Sequence, residues 1–193
     1  MNPIKNLARE IKTERLVLRQ MDATEPNAKM FFDAIKNEQK SDFPYTPIAM
    51  DEKDILPANA DEVLQIMRRS EKWTANTGVT YYIFYNNQII GFTRAYYHPD
   101  NETLQIGEMW FVRSAWGNGF AREIYRKYDQ IAFDILHANR ITVQCATENT
   151  RSEKSIRKAG FFLDGISRCA YKFSDGRYAN NMGWSKLKSE YEK

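Results

Sequence analysis

The sequence predicts an α/β fold in which helices flank a mixed, mostly antiparallel, twisted sheet with one parallel pair of strands. Three strand-like segments, 79–85, 88–97 and 103–112, follow one another with only short turns between them, which favours antiparallel pairing. A further alternating, β-branched segment, 140–146, comes after a long helical pattern. Because a whole helix separates segments 103–112 and 140–146, these two strands are expected to run parallel.

Length and composition predict one domain that spans residues 1–193. With 193 residues, 42% of them hydrophobic and 13% aromatic, the chain is long enough to bury a core. The balance of 28 Lys and Arg against 25 Asp and Glu gives a net charge of only +3, and no basic stripe or recognition motif indicates nucleic-acid binding. No apolar run approaches the ~18 residues of a membrane span, and the first residues lack the apolar stretch of a signal peptide, so a cytoplasmic protein is expected.

Metal and redox centres are not expected. Cys145 and Cys169 are far from Cys-x-x-Cys spacing, and burial as small hydrophobic residues is the better interpretation of both. His98 and His137 stand alone, without other residues at metal-ligand spacing.

The first half of the chain contains two predicted helices. The first covers 27–37, and the second covers 61–72, where apolar and small residues recur on one face. The residues on that face are Val63, Ile66, Met67 and Ser70. The strands that follow are joined by good turns at 86–87 and 98–101.

The segment 106–121 is a strand that breaks at glycines and restarts as a helix. Trp110, Phe111 and Val112 suit a strand, whereas Gly117 and Gly119 leave the backbone bare. From Phe120 onward, apolar residues recur at helical spacing, at Ile124, Tyr128, Ile131 and Ile135. The glycines therefore lie at a helix N-terminus, where free backbone N–H groups and the helix dipole favour a phosphate.

The two common phosphate motifs do not fit this segment. A dinucleotide fingerprint needs a third glycine where the chain has Arg122, and a P-loop needs Gly-Lys-Ser/Thr where Gly119 precedes Phe120. A nucleotide-binding domain for ATP also lacks a phosphate-binding lysine and an evident Mg²⁺ carboxylate, so this alternative ranks last.

The segment after strand 140–146 predicts a short helix. Asn149 is a good N-cap, and Ile156 shares a helix face with Ser152. Gly160 is placed to end the helix in the left-handed conformation.

Taken together, these segments resemble the GNAT superfamily of acetyl-CoA-dependent N-acetyltransferases, and within it the ribosomal-protein alanine acetyltransferase type. The resemblance covers most of the chain, in five pieces in the right order. These pieces are 13–19 as the first strand, 89–92 as the third, 116–121 as the pyrophosphate loop, Asn149-x-x-Ser152 with 158–161, and Asp175-Gly176-Arg177 in the last hairpin.

The resemblance implies acetyl-CoA as co-substrate and no metal. In the GNAT fold the two parallel strands splay apart, and the pantetheine arm of CoA lies between them. The residues implied in cofactor binding are Trp110, Phe111, Val112, Trp116, Gly117, Asn118, Gly119, Phe120, Ala121, Arg122, Asn149 and Ser152. The family usually has Gln or Arg where this chain has Ser114.

The resemblance also implies roles in the chemistry. Glu108 is the candidate base for the proton of the attacking amine, with a solvated strand carboxylate as the structural alternative. Many relatives use a Tyr on the departing thiolate where this chain has Ile156, so Ser152 is the candidate donor and Tyr171 a weaker one. A backbone N–H from 110–112 is expected to hold the carbonyl oxygen.

The acceptor amine is open. A protein N-terminal α-amine, with a reference pKa of roughly 8, demands less of a base than a lysine side chain at roughly 10.4. A small amine such as an amino acid, an aminoacyl nucleotide or a drug is the alternative. Phe43 and Tyr45 are expected either to line a lid over the substrate or to pack within a proline-rich loop for structural reasons. The aromatic cluster, either pocket or ordinary core, consists of Tyr81, Tyr82, Tyr85, Tyr96, Tyr97 and Trp110.

The type often has an Asp after the last hairpin turn, where this chain has Asn180 and Asn181. A non-catalytic acyl-CoA sensor is a further alternative. No nucleic-acid or membrane partner is expected, and the protein is a monomer or a homodimer.

Overall fold

The computed structural model describes residues 2–39, 56–173 and 176–191. Its centre is one eight-stranded sheet with the order β1-β2-β3-β4-β5-β6-β8-β7. The strands are β1 Glu10–Lys12, β2 Val17–Arg19, β3 Gly78–Tyr85, β4 Gln88–His98, β5 Thr103–Phe111, β6 Arg140–Ala146, β7 Phe162–Lys172 and β8 Tyr178–Leu187. Neighbours pair antiparallel except β5 and β6, which run parallel. The predicted fold class is confirmed.

Five α-helices occur in the described ranges. They are α1 Glu25–Ile35, α2 Ala60–Thr74, α3 Phe120–Asp129, α4 Thr150–Lys158 and α5 Lys188–Tyr191. The side chains of Asn59 and Asn149 cap α2 and α4 by accepting N–H groups of the first turn. None of the helices in these ranges is both long and apolar enough to cross a bilayer.

Helices cover both faces of the sheet. On the α1–α2 face, the Phe31 ring meets Tyr82 and Phe92 edge-on, with centroids 5.2 and 6.2 Å away. On the α3–α4 face, the hydroxyl groups of Thr93 and Tyr128 are 3.1 Å apart and join β4 to α3. The core therefore consists of two layers, one on each side of the sheet.

The predicted strand 13–19 is wrong in its first half. Residues 13–16 form the turn between β1 and β2, where the Thr13 N–H donates to the Leu16 carbonyl at 2.9 Å. The polar residues of this turn bind α3 instead of extending a strand. Thr13 donates through its hydroxyl to Glu123, and the Nε of Arg15 donates to the same carboxylate at 2.8 Å.

The predicted helix after Phe120 changes its winding before it ends. It is α-helical to Asp129, and Gln130–Ile135 form a π-helix. The wider turn rotates the residues that follow, so Ile135 is 58% exposed although the α-helical spacing predicted it on the buried face. Ile131 keeps its predicted buried position.

The two cysteines lie in different environments. Cys145 on β6 is buried, as predicted, but Cys169 on β7 is exposed, so that prediction is wrong. Cys169 has φ of 49° and lies where the pairing of β7 with β8 is irregular between Ser167 and Tyr171. Cys169 is exposed because β7 is an edge strand whose residues 162–170 are exposed on both faces.

Candidate active site

The two parallel strands separate beyond their first four residues. Thr103–Ile106 of β5 pair with Arg140–Val143 of β6, after which β5 continues to Phe111 and β6 to Ala146 without further pairing between them. Residues 107–111 and 144–146 thus border a wedge, here called the β5–β6 opening. The predicted splay is confirmed.

Some backbone N–H and carbonyl groups of β5 point toward this opening and are not bonded to β4. The Val112 N–H donates to the Ile90 carbonyl on the β4 side at 2.9 Å, so it is not the expected oxyanion donor. In an antiparallel ladder the next residue back, Phe111, points its N–H and carbonyl away from β4. The Phe111 carbonyl accepts the indole N–H of Trp116 at 3.0 Å. The Phe111 N–H is the donor in 110–112 that faces the opening.

The glycine loop next to the opening has the geometry of a phosphate site. Gly117 and Gly119 both have φ of 78°, in the left-handed region where glycine is unstrained. A Cβ on Gly117 would meet nothing within 4 Å, and one on Gly119 would meet only the Arg15 guanidinium at 3.8 Å. Gly119 caps this ten-residue helix, α3, without a side-chain hydrogen bond, so no cap side chain occupies its first N–H groups. This fits the pyrophosphate of CoA.

Side chains hold the loop in place from two sides. Arg15 donates to the Asn118 carbonyl at 3.0 Å and lies over the Phe120 ring at 4.7 Å. Asn118 donates through its side chain to the Trp116 carbonyl at 3.2 Å, and the Arg151 guanidinium lies 3.5 Å from the Trp116 ring centroid. The loop conformation is therefore fixed by neighbours before any ligand arrives.

The predicted cofactor residues present different atoms to the site. Phe120 is buried, so it offers backbone groups, whereas both backbone groups of the buried Val112 are bonded within the protein, the N–H to Ile90 and the carbonyl to Ala115. Arg122 is exposed on the first turn of α3. Trp110 lies on the α1–α2 face and stacks on Phe92 with 6.1 Å between centroids. The binding role of each stays a prediction.

Helix α4 places Ser152 beside the end of β6. Asn149 accepts the Ser152 N–H at 3.1 Å, as predicted for an N-cap. Burial raises the pKa of Cys145, and the side chain of Ser152 is near enough to oppose that rise. Ile156 is fully buried. Ser152 is thus the polar side chain that α4 offers near the opening.

A bulge in β5 decides where Glu108 points. The register of β4 and β5 shifts at Arg94, which lies opposite two residues, Gly107 and Glu108. The extra residue interrupts the alternation, so Glu108 leaves the face on which Ile106 is buried. It lies on the α1–α2 face, where its carboxylate accepts a hydrogen bond from Arg94 at 3.0 Å.

Arg94 was not among the residues that the sequence singled out. Its side chain is only 5% exposed, and it donates to Ser70 of α2 at 3.0 Å and to Thr80 of β3 at 3.2 Å, besides Glu108. The exposed Trp73 ring lies 5.6 Å from the guanidinium. The signal in the sequence was a charge within an apolar strand, since a fully buried arginine is rare unless it is paired.

Tyr171 lies on β7, near enough to Glu108 for that carboxylate to help raise its pKa. It packs with Ala146 and Phe173, its ring 5.4 Å from the Phe173 ring. Burial raises the pKa of Tyr171 to about 12, with smaller contributions from Glu108 and Cys145. The hydroxyl therefore keeps its proton at neutral pH.

The predicted aromatic cluster is divided between the two faces of the sheet. Tyr81 and Tyr97 are buried, and their hydroxyls donate to the Ala8 carbonyl at 2.8 Å and the Leu136 carbonyl at 3.3 Å. Tyr82 lies on the opposite face against Phe31. These residues serve the core and do not line one common pocket. Phe43, Tyr45 and Asp175 lie outside the described residues.

Within ranges 2–39, 56–173 and 176–191, no cluster of three or more His, Cys, Asp or Glu side chains could hold a metal ion.

Comparison with known proteins identifies the family. The sequence profile of the acetyltransferase (GNAT) domain matches residues 15–162, whereas a search of curated proteins finds no match. Similar solved structures include MccE, the microcin C7 self immunity acetyltransferase in complex with acetyl-CoA and AMP, with a TM-score of 0.79 and 17% identity over 94% of this chain and 97% of that one.

Two further structures have the same fold. RimL, the ribosomal L7/L12 alpha-N-protein acetyltransferase in complex with coenzyme A, has a TM-score of 0.76 and 19% identity over 94% of this chain and 99% of that one. A GCN5-related N-acetyltransferase from Brucella melitensis has a TM-score of 0.80 and 19% identity over 96% and 82% of the two chains. With the profile matching most of its length and the splayed strand pair in place, this chain belongs to the GNAT acetyltransferase family.

Proposed function

We propose that the protein transfers the acetyl group of acetyl-CoA to a primary amine directly, in a ternary complex, with residues 1–193 as one catalytic domain. The observation that carries the proposal is the β5–β6 opening, which has the bare N-terminus of α3 at one end and Glu108 at its edge. The complexes of MccE with acetyl-CoA and of RimL with coenzyme A support the same use of this fold.

The cofactor binds through backbone groups. The pyrophosphate accepts hydrogen bonds from the first N–H groups of α3, next to Gly117 and Gly119, and the exposed Arg122 faces the adenosine phosphates. The pantetheine arm runs between β5 and β6, so that the thioester lies beside Phe111.

Transfer then needs each reacting group held in place. The amine nitrogen attacks the thioester carbonyl carbon, a C–N bond forms, the C–S bond breaks, and the amine proton passes to Glu108 directly or through a water molecule. The Phe111 N–H stabilises the charge on the carbonyl oxygen. The Ser152 hydroxyl donates a hydrogen bond to the departing sulfur.

Tyr171 is the second candidate donor. It holds its proton at neutral pH, and the carboxylate of Glu108 is close enough to contribute to its raised pKa. However, it lies on the β7 side of the opening, away from α4. Comparing Tyr171→Phe with Ser152→Ala assigns the role to the variant with the larger loss in kcat.

For the acceptor we favour a protein N-terminal α-amine. Its reference pKa of roughly 8 leaves a useful neutral fraction at pH 7, so a single carboxylate suffices as base. RimL, an alpha-N-protein acetyltransferase, shares the fold. A small-molecule amine is the alternative, and a panel of N-terminal peptides and small amines separates the two.

The first test is thermal unfolding with acetyl-CoA, with ATP and NAD as controls. Ligand at about 100 times its Kd stabilises the folded state by ~2.7 kcal/mol, which raises the midpoint by several degrees. A shift with acetyl-CoA alone supports the cofactor site. A shift with ATP or NAD and none with millimolar acetyl-CoA overturns the proposal.

A binding module without turnover is the second candidate, and the buried Ile156 at the position where many relatives have a Tyr donor favours it. Release of CoA in the presence of the amine panel excludes this candidate, because a binding module has no rate.

A further inference from the structure

We propose that Arg94 is a positioning residue of the acetyl transfer, which holds the Glu108 carboxylate at the edge of the β5–β6 opening. The inference rests on the proposed function, because it concerns the residue to which that function assigns the proton. It adds a group that makes no contact with the reacting atoms and acts through Glu108.

The guanidinium is fixed by three different elements. Nη2 donates to Ser70 of α2 at 3.0 Å, Nε donates to Thr80 of β3 at 3.2 Å, and the backbone of Arg94 belongs to β4. The Ser70 and Thr80 hydroxyl groups are themselves 2.9 Å apart. A planar fork with several donors satisfies this arrangement, whereas a lysine ammonium cannot reach all three oxygens in the same geometry.

The two residues of the ion pair differ in burial: Arg94 is buried, whereas Glu108 is partly accessible to a substrate. The Arg94 side chain is 5% exposed and that of Glu108 is 31% exposed. Nη1 of Arg94 binds Oε2 of Glu108 at 3.0 Å, and among the described residues no other side chain or N–H group hydrogen-bonds this carboxylate. Without Arg94 the Glu108 side chain is free to change rotamer.

The pair divides the two carboxylate oxygens between two tasks. Oε2 accepts from Arg94, which leaves Oε1 to accept the amine proton or to bind the water that carries it. The bulge at Gly107 and Glu108 is required for this, because it brings Glu108 onto the face of Arg94. The β5 bulge and the buried Arg94 guanidinium thus together position the Glu108 carboxylate.

A merely structural role is the competing explanation, since Arg94 also ties α2 to the sheet. The two explanations differ in what happens when Glu108 is already changed. A residue that acts through Glu108 loses its effect on kcat in a Glu108→Gln background, whereas a structural residue keeps it.

The experiment combines Arg94→Met, Arg94→Lys, Glu108→Gln and the double variant R94M/E108Q. We expect R94M to lower kcat by ~10- to 100-fold with little change in the KM for acetyl-CoA, since a misplaced group costs rate and not cofactor binding. In the E108Q background the Arg94→Met change lowers kcat by less than about threefold. With Glu108 present, R94K has a higher kcat than R94M. The control pair is Arg19→Met with Glu10→Gln, a more exposed strand Arg–Glu pair at 2.8 Å elsewhere in the sheet, which leaves kcat unchanged.

A second readout does not depend on turnover. In crystal structures of R94M we expect the Glu108 carboxylate to leave its wild-type position while the backbone of β4 and β5 superposes. The proposal is overturned if the Glu108 carboxylate does not move in R94M. It is also overturned if R94M lowers kcat by the same factor in wild type and in E108Q. If wild type acetylates no amine, the proposed function fails, whereas the position of Glu108 in R94M still shows whether Arg94 holds this carboxylate in place.

If R94M does not fold, the variant S70A/T80V replaces it. That variant keeps the cation and removes its two lateral hydrogen bonds. We expect a smaller loss of kcat in the same direction, again absent in the E108Q background, and equal losses in both backgrounds overturn the proposal.

Discussion

Glu108 lies on the same face of the sheet as Arg94 because β5 has one residue more than β4 at this point. The bulge turns its carboxylate to the face where Arg94 is buried, next to the opening between the parallel strands. With strict alternation the same residue would point into the apolar layer that contains Ile106. One inserted position therefore separates a core residue from a candidate base.

Glu108→Gln keeps the shape of the side chain and removes its ability to accept a proton. We expect kcat to fall by ~10²- to 10⁴-fold while the affinity for acetyl-CoA stays the same. Steady-state kinetics and a thermal shift with acetyl-CoA measure the two quantities. Glu10→Gln, in another Arg-paired strand glutamate, is the control, and an equal loss there would refute a specific role.

Ser152→Ala removes the hydroxyl that α4 offers near the opening. A hydrogen bond to a developing thiolate is charge-assisted, so we expect kcat to fall by about 10- to 100-fold. Ser155→Ala, in the next turn of α4, is the matched control. If both variants keep wild-type rates, the sulfur is protonated by another group, and Tyr171→Phe is the next variant to measure.

At the scale of elements, substitutions of two glycines distinguish the effect of backbone strain from the effect of a lost ligand contact in the loop before α3. Gly119→Ala and Gly176→Ala each place a Cβ at positive φ, 78° and 88°, at a cost of roughly 1–2 kcal/mol in folding stability. Only Gly119 lies at the N-terminus of α3. We expect similar losses in Tm for the two variants, and a weaker acetyl-CoA affinity for Gly119→Ala alone. Equal affinities by calorimetry would place the phosphates elsewhere.

The turn between β1 and β2 stabilises α3 through Glu123, and this contribution depends on pH. Burial raises the pKa of Glu123, but hydrogen bonds from Thr13 and Arg15 outweigh it and hold the pKa below its ordinary value of 4.5. A carboxyl with a lowered folded pKa stabilises the fold above its unfolded pKa and loses that contribution as the pH falls through the folded pKa.

Glu123→Gln therefore destabilises the protein at neutral pH and flattens the pH dependence of its unfolding free energy on the acid side. Urea unfolding of both proteins between about pH 6 and about pH 3 measures the difference. The two curves should converge at the acid end. Parallel curves, or convergence also for Glu153→Gln on α4, would show that the turn does not contribute in this way.

At the scale of the whole molecule, the sequence predicted those features that depend on the pattern of neighbouring residues. Strand 140–146 has the predicted bounds because β-branched alternation ends abruptly in polar residues, and its parallel pairing follows from the helix before it. The loop glycines were identified because positive φ restricts the choice of residue.

What could not be predicted depends on contacts between distant segments. The β5 bulge needs β4 as a partner, and the π-helix at Gln130–Ile135 interrupts a spacing that looks regular in the sequence. Arg94 gains its environment only when α2 and β3 pack against it. At the bulge and at Arg94 a long-range contact overrides the local pattern, whereas the π-helix changes the hydrogen bonding of the helix itself.

The short pairing between β5 and β6 has a consequence for how the molecule opens. In the part of the chain that the structure describes, the ladder that joins strands β1 to β5 to the unit made by β6, β7 and β8 consists of four residue pairs. In the absence of ligand, amide hydrogen exchange should reveal two cooperative units with separate opening free energies. A cofactor lying in the wedge touches both, so saturating acetyl-CoA should slow exchange in both units together, by up to ~100-fold at 100 times its Kd. If acetyl-CoA slows exchange only in residues 116–121, the ligand stabilises the loop alone. If exchange slows in both units, the bound cofactor links the two units and stabilises them together.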